Sequence, residues 1–465
     1  MRPPTQWRRS THALVGVAVL LIVAGVVAVM AFVGSRNPST SAASPVAPQP
    51  AAVTAHPGVA PLADDGLKPL PERLAATLAP FVADPNLGAL TGRVTDAITG
   101  AQLWAQGADV PMQPASTNKV LTAAAALFTL DRDAKLTTTV VAADQTSSPG
   151  MVVLRGGGDP TLSAAPPGTP TWYRDAARIS DLADQVRKSG ITVTSVKVDG
   201  SAYSGPTMAP GWDPLDILNG DIAPMESVML DGGRTQPVSP DSWRSGTPAL
   251  DAGRALAVAL RVDPAAVTFL PGPMANGKQI AAVQSPPLIP RLQQMMNDSD
   301  NVVAESIGRE VAAALDAPES FDGAVRSVLA QLSQAGVDTR GATLFDSSGL
   351  SVNDRLTALT LDGVVNAASG GDEPKLRPLV DLLPIAGGSG TLSNRFLDTD
   401  AGKAAAGLLR AKTGSLTGTN ALAGIVTDAG GRVLTFALIS NNAGPTGRTS
   451  IDALAAALRS CGCAA

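Results

Sequence analysis

The chain of 465 residues holds two histidines and two cysteines, and none of the four lies within residues 63–460. His12 and His56 precede that stretch, and Cys461 and Cys463 follow it. A Ser-His-Asp triad, a Cys-His dyad and the common His- or Cys-ligated zinc sites all need one of these residues. The body is therefore excluded from all three, and no metal is expected in it. If it is an enzyme, its proton transfers come from carboxylates, tyrosine or lysine. A basic excess is missing as well. Lys and Arg number 35 against 40 Asp and Glu, for a net charge of −5, which argues against a nucleic-acid partner. The C-x-C spacing at the end would close a small, strained ring, so a disulfide framework is excluded and the redox state of Cys461 and Cys463 stays open.

A hydrophobic fraction of 45% supports a folded body, and the length suits two or three domains. Residues 13–34 form an uncharged apolar run, long enough as a helix to cross a bilayer core of roughly 30 Å. Arg2, Arg8 and Arg9 precede it and Arg36 follows. The positive-inside rule then assigns residues 1–12 to a cytoplasmic basic tail, 13–34 to a transmembrane signal-anchor, and the rest to the far side of the cell membrane. The rival reading is a cleaved signal peptide, with Ser41-Ala42-Ala43 as small residues open to cutting. Residues 35–62 are rich in Pro and Ala, bury little, and read as a linker.

Beyond the linker, residues 90–94 and 102–106 read as short strands around a turn at Thr99-Gly100. Residues 118–130, rich in Ala and Leu and free of Gly and Pro, read as a buried helix. Strand-like segments at 137–142, 151–154, 191–198 and 267–270, set among Gly/Pro clusters, mark 136–287 as an inserted β-rich domain. Helical pattern returns at 288–296 and 302–315. Strands are expected at 407–412, 421–427 and 433–440, and a final helix at 451–459. The expected fold is α/β of the α+β kind. One antiparallel sheet flanked by helices is assembled from residues 63–135 and 288–465.

With histidine absent, lysine is the natural base, and there are nine lysines against 26 arginines. One stands in Ser116-Thr117-Asn118-Lys119, at the start of the buried helix. A three-residue separation puts Ser116 and Lys119 on one helical face, and the helix N-terminus favours negative charge developing at Ser116. A second stands in Lys412-Thr413-Gly414-Ser415, on an expected strand. Between them lies Ser299-Asp300-Asn301, ahead of another helix, where Asp300 is expected to orient the loop or cap that helix. S-x-x-K occurs by chance in many chains and S-x-N is weaker still. K-T-G is unique here, and the ordered set carries the specificity.

S-x-x-K, S-D-N and K-T-G are shared by penicillin-binding proteins and serine β-lactamases. The long insertion narrows the resemblance to the low-molecular-mass penicillin-binding proteins of class C, the D-alanyl-D-alanine carboxypeptidase/endopeptidase family. Further segments match that pattern: Gly157 to Leu162, Ala209 to Trp212, Asp346 to Ser351, and Leu383 to Leu392. The likeness spans about residues 75 to 460. It implies a serine β-lactamase/DD-peptidase-like fold and a penicillin-sensitive serine carboxypeptidase, with or without endopeptidase action. The implied partner is a peptidoglycan stem peptide ending in D-Ala-D-Ala, with β-lactams as covalent inhibitors. Ser116 would be the nucleophile. Lys119 would be the base, its pKa lowered by burial and by the charge of Lys412, and Ser299 the proton relay. Asn301 would hold Lys119 and the substrate amide, Lys412 and Thr413 the terminal carboxylate, and the N–H groups of Ser116 and Ser415 the oxyanion.

Two other functions use the same motifs. A class A β-lactamase needs an E-x-x-x-N element, which Glu305, Glu310, Glu319 and Glu373 all lack. A class C β-lactamase needs Tyr-x-Asn, absent after Tyr173 and Tyr203. A non-catalytic peptidoglycan or β-lactam sensor need not keep Ser116, Lys119 and Lys412 together. Gly156-Gly157-Gly158 has no lysine at P-loop spacing, so it reads as a turn and no cofactor is expected. Ser389 also reads as part of a turn. Trp172, Trp212 and Trp243 are expected to pack within the insertion, and Asp159 and Asp213 to lie at the surface.

Overall fold

The computed structural model describes residues 68–274, 277–371 and 373–461. The expected basic tail, signal-anchor and linker at 1–12, 13–34 and 35–62 lie outside the described residues. Among those described, no helix is long and apolar enough to cross a membrane.

Among the described residues, ten strands form two sheets: β1 Ala89–Asp96, β2 Gln102–Gln106, β3 Thr137–Ala142, β4 Met151–Arg155, β5 Ser195–Asp199, β6 Thr268–Phe269, β7 Lys278–Gln284, β8 Leu409–Leu416, β9 Thr419–Thr427 and β10 Val433–Asn441. The first sheet runs β2-β1-β10-β9-β8, and every neighbouring pair is antiparallel. Chain ends far apart in sequence therefore meet at the β1–β10 pairing. The helices used below are α1 Pro71–Val82, α2 Lys119–Thr129, α3 Ile179–Lys188, α4 Pro248–Leu260, α5 Leu288–Asp298, α6 Asn301–Ala314, α7 Phe321–Gln334, α8 Ala358–Ser369 and α9 Gly447–Ser460.

Strand periodicity sorts the first sheet into two faces. On β9 and β10, Leu422, Val426, Leu434, Phe436 and Leu438 pack with Leu74 and Leu78 of α1 and with Ile451 and Leu454 of α9. The alternate residues Ala421, Ala423, Ala437 and Ile439 join the core of α2, α6 and α8. Three of those four are alanines, so this helical layer lies close to the sheet. Every residue of α2 from Lys119 to Leu127 is buried. A polar atom on this helix is thus held in a fixed, water-poor setting.

The second sheet, β6-β5-β4-β3-β7, belongs to the inserted stretch. Pairs β4–β5 and β5–β6 are parallel, so each needs a crossover. Helices α3 and α4 supply them. Leu182 and Val186 of α3 and Leu256 of α4 pack on Val152, Leu154, Val196 and Val198. The insertion thus carries helices as well as strands. Its expected strands are present, although β5 begins at Ser195 and β6 is reduced to two residues. Helix α3 escaped the strand reading because it is short and flanked by turns, yet Ile179, Leu182, Ala183 and Val186 recur at helical spacing. Helices α7 and α8 were not expected either. Cys461, buried after α9, is disulfide-bonded.

Candidate active site

The turn that carries Ser116 is sharp. Ala115 takes a left-handed backbone (φ 49°), and Ala115–Asn118 forms a single 3-10 turn running directly into α2. Two glycines let the neighbouring chain close over it. A Cβ on Gly349 would stand 1.9 Å from the carbonyl oxygen of Ala115, and one on Gly414 2.6 Å from that of Pro114. The glycine of K-T-G is therefore required for β8 to reach the serine. Ser116 does not cap the helix. Thr117 Oγ1 bonds back to the Pro114 carbonyl at 2.6 Å, and Ser116 Oγ instead accepts from Lys119 Nζ at 3.0 Å.

Lys119 is completely buried. Its amine also donates to Asn301 Oδ1 at 2.6 Å and to the Ser348 carbonyl at 2.8 Å. Three acceptors match its three protons in the charged state. Burial lowers its pKa to about 8, against the opposing pull of Asp346, Glu305, Asp300 and Asp354. The sequence expectation named burial and Lys412 as the lowering causes. Burial has that role at Lys119, while the repulsion between the two amines is felt at Lys412. Lys412 is held well below the usual lysine range by burial, then by Lys119 and Arg395.

Ser299 and Asn301 arrive on a tight link between α5 and α6. Ser299 ends α5 in a left-handed conformation (φ 57°), and its Oγ accepts from Lys412 Nζ at 2.9 Å. Lys412 also donates to the Thr413 carbonyl at 2.9 Å. Asp300 turns away from this group. Its Oδ1 caps α6 by accepting the Val303 amide at 3.0 Å, as the sequence led us to expect. The structure thus joins Ser116, Lys119, Asn301, Ser299 and Lys412 into one cluster. Thr413 and Ser415 follow along β8, with Ser415 exposed.

Several contributors were invisible or unassigned in the sequence. Thr413 Oγ1 donates to Thr391 Oγ1 at 2.8 Å, and Thr391 lies in the family-like segment Leu383 to Leu392, which shows no role for it in sequence. The carbonyl of Ser348 also lies in a matched segment, Asp346 to Ser351, but nothing in the side chains there marks a backbone acceptor for Lys119. It is aimed by Asp346, which accepts the amides of Ser348, Gly349 and Ser351 and the indole N–H of Trp212. Glu305 accepts the amides of Ser347 and Ser348 and pairs with the buried Arg309. Burial and the charge of Asp346 raise its pKa to about 7.

Other expectations divide. Gly156 and Gly158 follow β4 in an open stretch rather than a hydrogen-bonded turn, and donate to the carbonyls of the distant Asp199 and Ser227, whereas Ser389 Oγ accepts the Ile385 amide within its turn. Trp212 packs edge-on against Phe321, with ring centroids 5.0 Å apart. Asp213 is at the surface. Asp159 is not. It is buried, accepts the amide and hydroxyl of Thr161, and has its pKa raised by burial. Trp243 is a further correction. It is 65% exposed, because the loop carrying it turns outward from the insertion core.

Tyr173, buried and contributed by the insertion, donates from its hydroxyl to Asp300 Oδ2 at 2.9 Å. The insertion therefore grips the Ser299–Asn301 link from behind. Tyr173→Phe leaves a buried carboxylate oxygen without its donor, a defect of about 1–3 kcal/mol. We expect acylation by a fluorescent penicillin to slow by roughly tenfold, the equivalent of about 1.4 kcal/mol. Stopped-flow labelling alongside thermal melts checks this, and an unchanged acylation rate with a lowered Tm would restrict the bond to folding.

Comparison with known proteins adds a second line of observation. The D-Ala-D-Ala carboxypeptidase 3 (S13) family matches residues 74–240 and 237–460. The N-terminal domain described as carboxypeptidase Rv3627c-like matches residues 1–61. Carboxypeptidase DacB of Mycolicibacterium smegmatis is 71% identical over 462 residues, covering 99% of this chain and 100% of its own. Carboxypeptidase Rv3627c of Mycobacterium tuberculosis is 60% identical over 460 residues, covering 99% of each. Penicillin binding protein 4 (dacB) from Haemophilus influenzae, a solved structure, superposes with a TM-score of 0.66 at 22% identity. It covers 83% of this chain and 97% of its own, a likeness of fold. By these matches the chain belongs to the D-Ala-D-Ala carboxypeptidase 3 (S13) family, among the class C low-molecular-mass penicillin-binding proteins that its motifs resemble.

Proposed function

We propose that the chain removes the terminal D-alanine from peptidoglycan stem peptides through an acyl-enzyme on Ser116, and that β-lactams acylate the same oxygen. The observation that carries this reading is the 3.0 Å bond between Ser116 Oγ and a fully buried Lys119 whose pKa lies near 8. Neutral Lys119 takes the proton as Ser116 Oγ adds to the carbonyl of the penultimate D-alanine. The N–H groups of Ser116 and Ser415 receive the oxyanion. When the C–N bond breaks, the Ser299 hydroxyl hands a proton to the departing amine and is resupplied with the one Lys119 took, so that Lys119 is neutral again and Lys412 keeps its charge on the substrate carboxylate. Water then adds to the ester carbonyl, the again neutral Lys119 takes the water's proton, and that proton returns to Ser116 Oγ as the oxygen leaves, which restores the free serine and the neutral amine.

Lys412 and Thr413 take the terminal carboxylate in this reading, a role supported by the adjacency of Lys412 to Ser299. An arriving carboxylate supplies the counter-charge that Lys412 lacks and draws a proton onto its amine, so substrate binding and protonation are coupled. Asn301 Oδ1 holds Lys119, and its Nδ2 donates to the Asp221 carbonyl at 3.0 Å. Cleavage of cross-links would use the same bond chemistry with a larger leaving amine. The β-lactamase reading needs a carboxylate that activates water for fast deacylation. Glu305 is a poor base for that task, being buried and bonded to two amides and Arg309. We further propose that residues 13–34 anchor the chain in the cell membrane with the body outside.

The test incubates the protein with a fluorescent penicillin and, separately, with a peptide ending in D-Ala-D-Ala. Lasting label together with released D-alanine is expected. Rapid loss of label with lactam turnover would support a β-lactamase instead, and label without D-alanine release a sensor.

A further inference from the structure

Trp243 stands out from the insertion's other large apolar residues by its exposure and its surroundings. It is 65% exposed, Val238 on the same loop is 60% exposed, and Leu215 and Leu218 on the adjoining turn Leu215–Asn219 are each 59% exposed. Clustered apolar exposure of this kind marks contact surfaces on soluble proteins.

This surface is built rather than loose. The Arg244 amide donates to the Ile217 carbonyl at 3.0 Å, and the Thr235 amide to that of Trp243 at 3.0 Å. Arg244, itself buried, donates to the carbonyls of Gly220 at 2.9 Å and Gly232 at 2.6 Å. Gly220 has φ 86°, and a Cβ there would stand 2.5 Å from the Ser242 carbonyl oxygen. The two segments are pressed together by their backbones while their apolar side chains face solvent.

The same framework reaches the active site. The Asp221 amide donates to the Asp216 carbonyl at 2.9 Å, and the Asp221 carbonyl receives Asn301 Nδ2. The platform is therefore continuous with the arm that holds Lys119. Arg244, next to Trp243, bonds the Gly220 carbonyl, and the following carbonyl, that of Asp221, bonds Asn301, so the exposed indole adjoins the active site along the backbone.

We propose that Trp243, with Leu215 and Leu218, is a docking platform for the glycan strand from which the stem peptides hang, the indole face stacking on the apolar faces of N-acetylated sugar rings. An aromatic ring offers large contact area with few rotatable bonds to immobilise, and a pre-held ring loses little on binding. The inference rests on the carboxypeptidase reading and adds a substrate class to it: glycan-linked peptide is preferred over free peptide.

The test compares D-alanine release from a soluble sugar-free peptide and from purified polymeric peptidoglycan. Wild type, Trp243→Ala, Trp243→Phe and Leu215→Ser/Leu218→Ser are assayed in parallel. For Trp243→Ala we expect kcat/KM on the polymer to fall about tenfold, with the free peptide within about twofold of wild type. Trp243→Phe recovers most of the polymer rate. A peptide-free glycan oligomer is expected to change indole fluorescence in wild type and not in Trp243→Ala.

An equal fall on both substrates, or none on either, overturns the platform. So does vesicle co-sedimentation or self-association that Trp243→Ala abolishes, with no polymer effect. Failure of the wild type to release D-alanine from either substrate overturns the carboxypeptidase reading instead, and the two failures are distinguishable.

Discussion

Ser116→Ala is expected to lower D-alanine release and penicillin acylation by a factor on the order of 10⁴ or more, while the fold survives. The substitution removes one oxygen from a half-buried turn. Lys119 keeps Asn301 and the Ser348 carbonyl as acceptors, and the sharp backbone at Ala115 is secured by Gly349 and Gly414 rather than by the serine hydroxyl. Stability should therefore change by no more than about 1 kcal/mol, the size of one exchanged hydrogen bond. Lys412 and Thr413 are untouched, so the variant should still bind a peptide ending in D-Ala-D-Ala. Equilibrium binding by calorimetry, combined with gel fluorescence for covalent label, separates binding from chemistry. Covalent label or D-alanine release at near wild-type rates would move the nucleophile elsewhere and with it the whole assignment.

The cluster was legible where its chemistry depends on rare side chains at fixed spacing. Two of nine lysines fell within motifs, and the fold brings both to the same group of serines. It was illegible where the contributor is backbone, as with the Ser348 carbonyl, or where the partner comes from a distant part of the chain. Tyr173 lies 127 residues from Asp300, and nothing local to either marks the bond. The first sheet was readable because its strands are short apolar runs bounded by turn residues, the pattern of strands buried on both faces. The insertion's helices were harder, since α3 is short and its apolar stripe lies among turn residues. Asp159 and Trp243 were misplaced for one reason: carboxylates are usually exposed and tryptophans usually buried. Local geometry reverses both. Thr161 satisfies one carboxylate oxygen inside the insertion, while a backbone-braced loop carries the indole outward.

Lys119 makes the largest pH-dependent prediction. Acylation needs its neutral form, and a folded-state pKa near 8 leaves about one tenth of the molecules neutral at pH 7, about half at pH 8 and about nine tenths at pH 9. The kcat/KM for peptide and the penicillin acylation rate should both rise nearly tenfold per pH unit up to that value and then level. The stability sign is consistent with this. The folded amine binds its proton less tightly than the unfolded one, whose ordinary value is 10.5. Lys119 therefore destabilises the fold most below pH 8, and that penalty is relieved as pH rises from about 8 to 10.5. Lys119→Arg keeps the charge and several donors but fixes a guanidinium that stays protonated throughout. We expect activity to fall on the order of 10³-fold or more, with no rise through pH 8. Lys119→Met tests the same step without a buried charge, and it should be equally inactive while losing the stability change between pH 8 and 10.5. If either variant keeps substantial activity with the limb near pH 8, the titrating base is another group. Lys412, the second buried amine at the site, is then the first to replace, because its own pKa is also depressed and its hydrogen bond to Ser299 gives it a route to the reacting atoms.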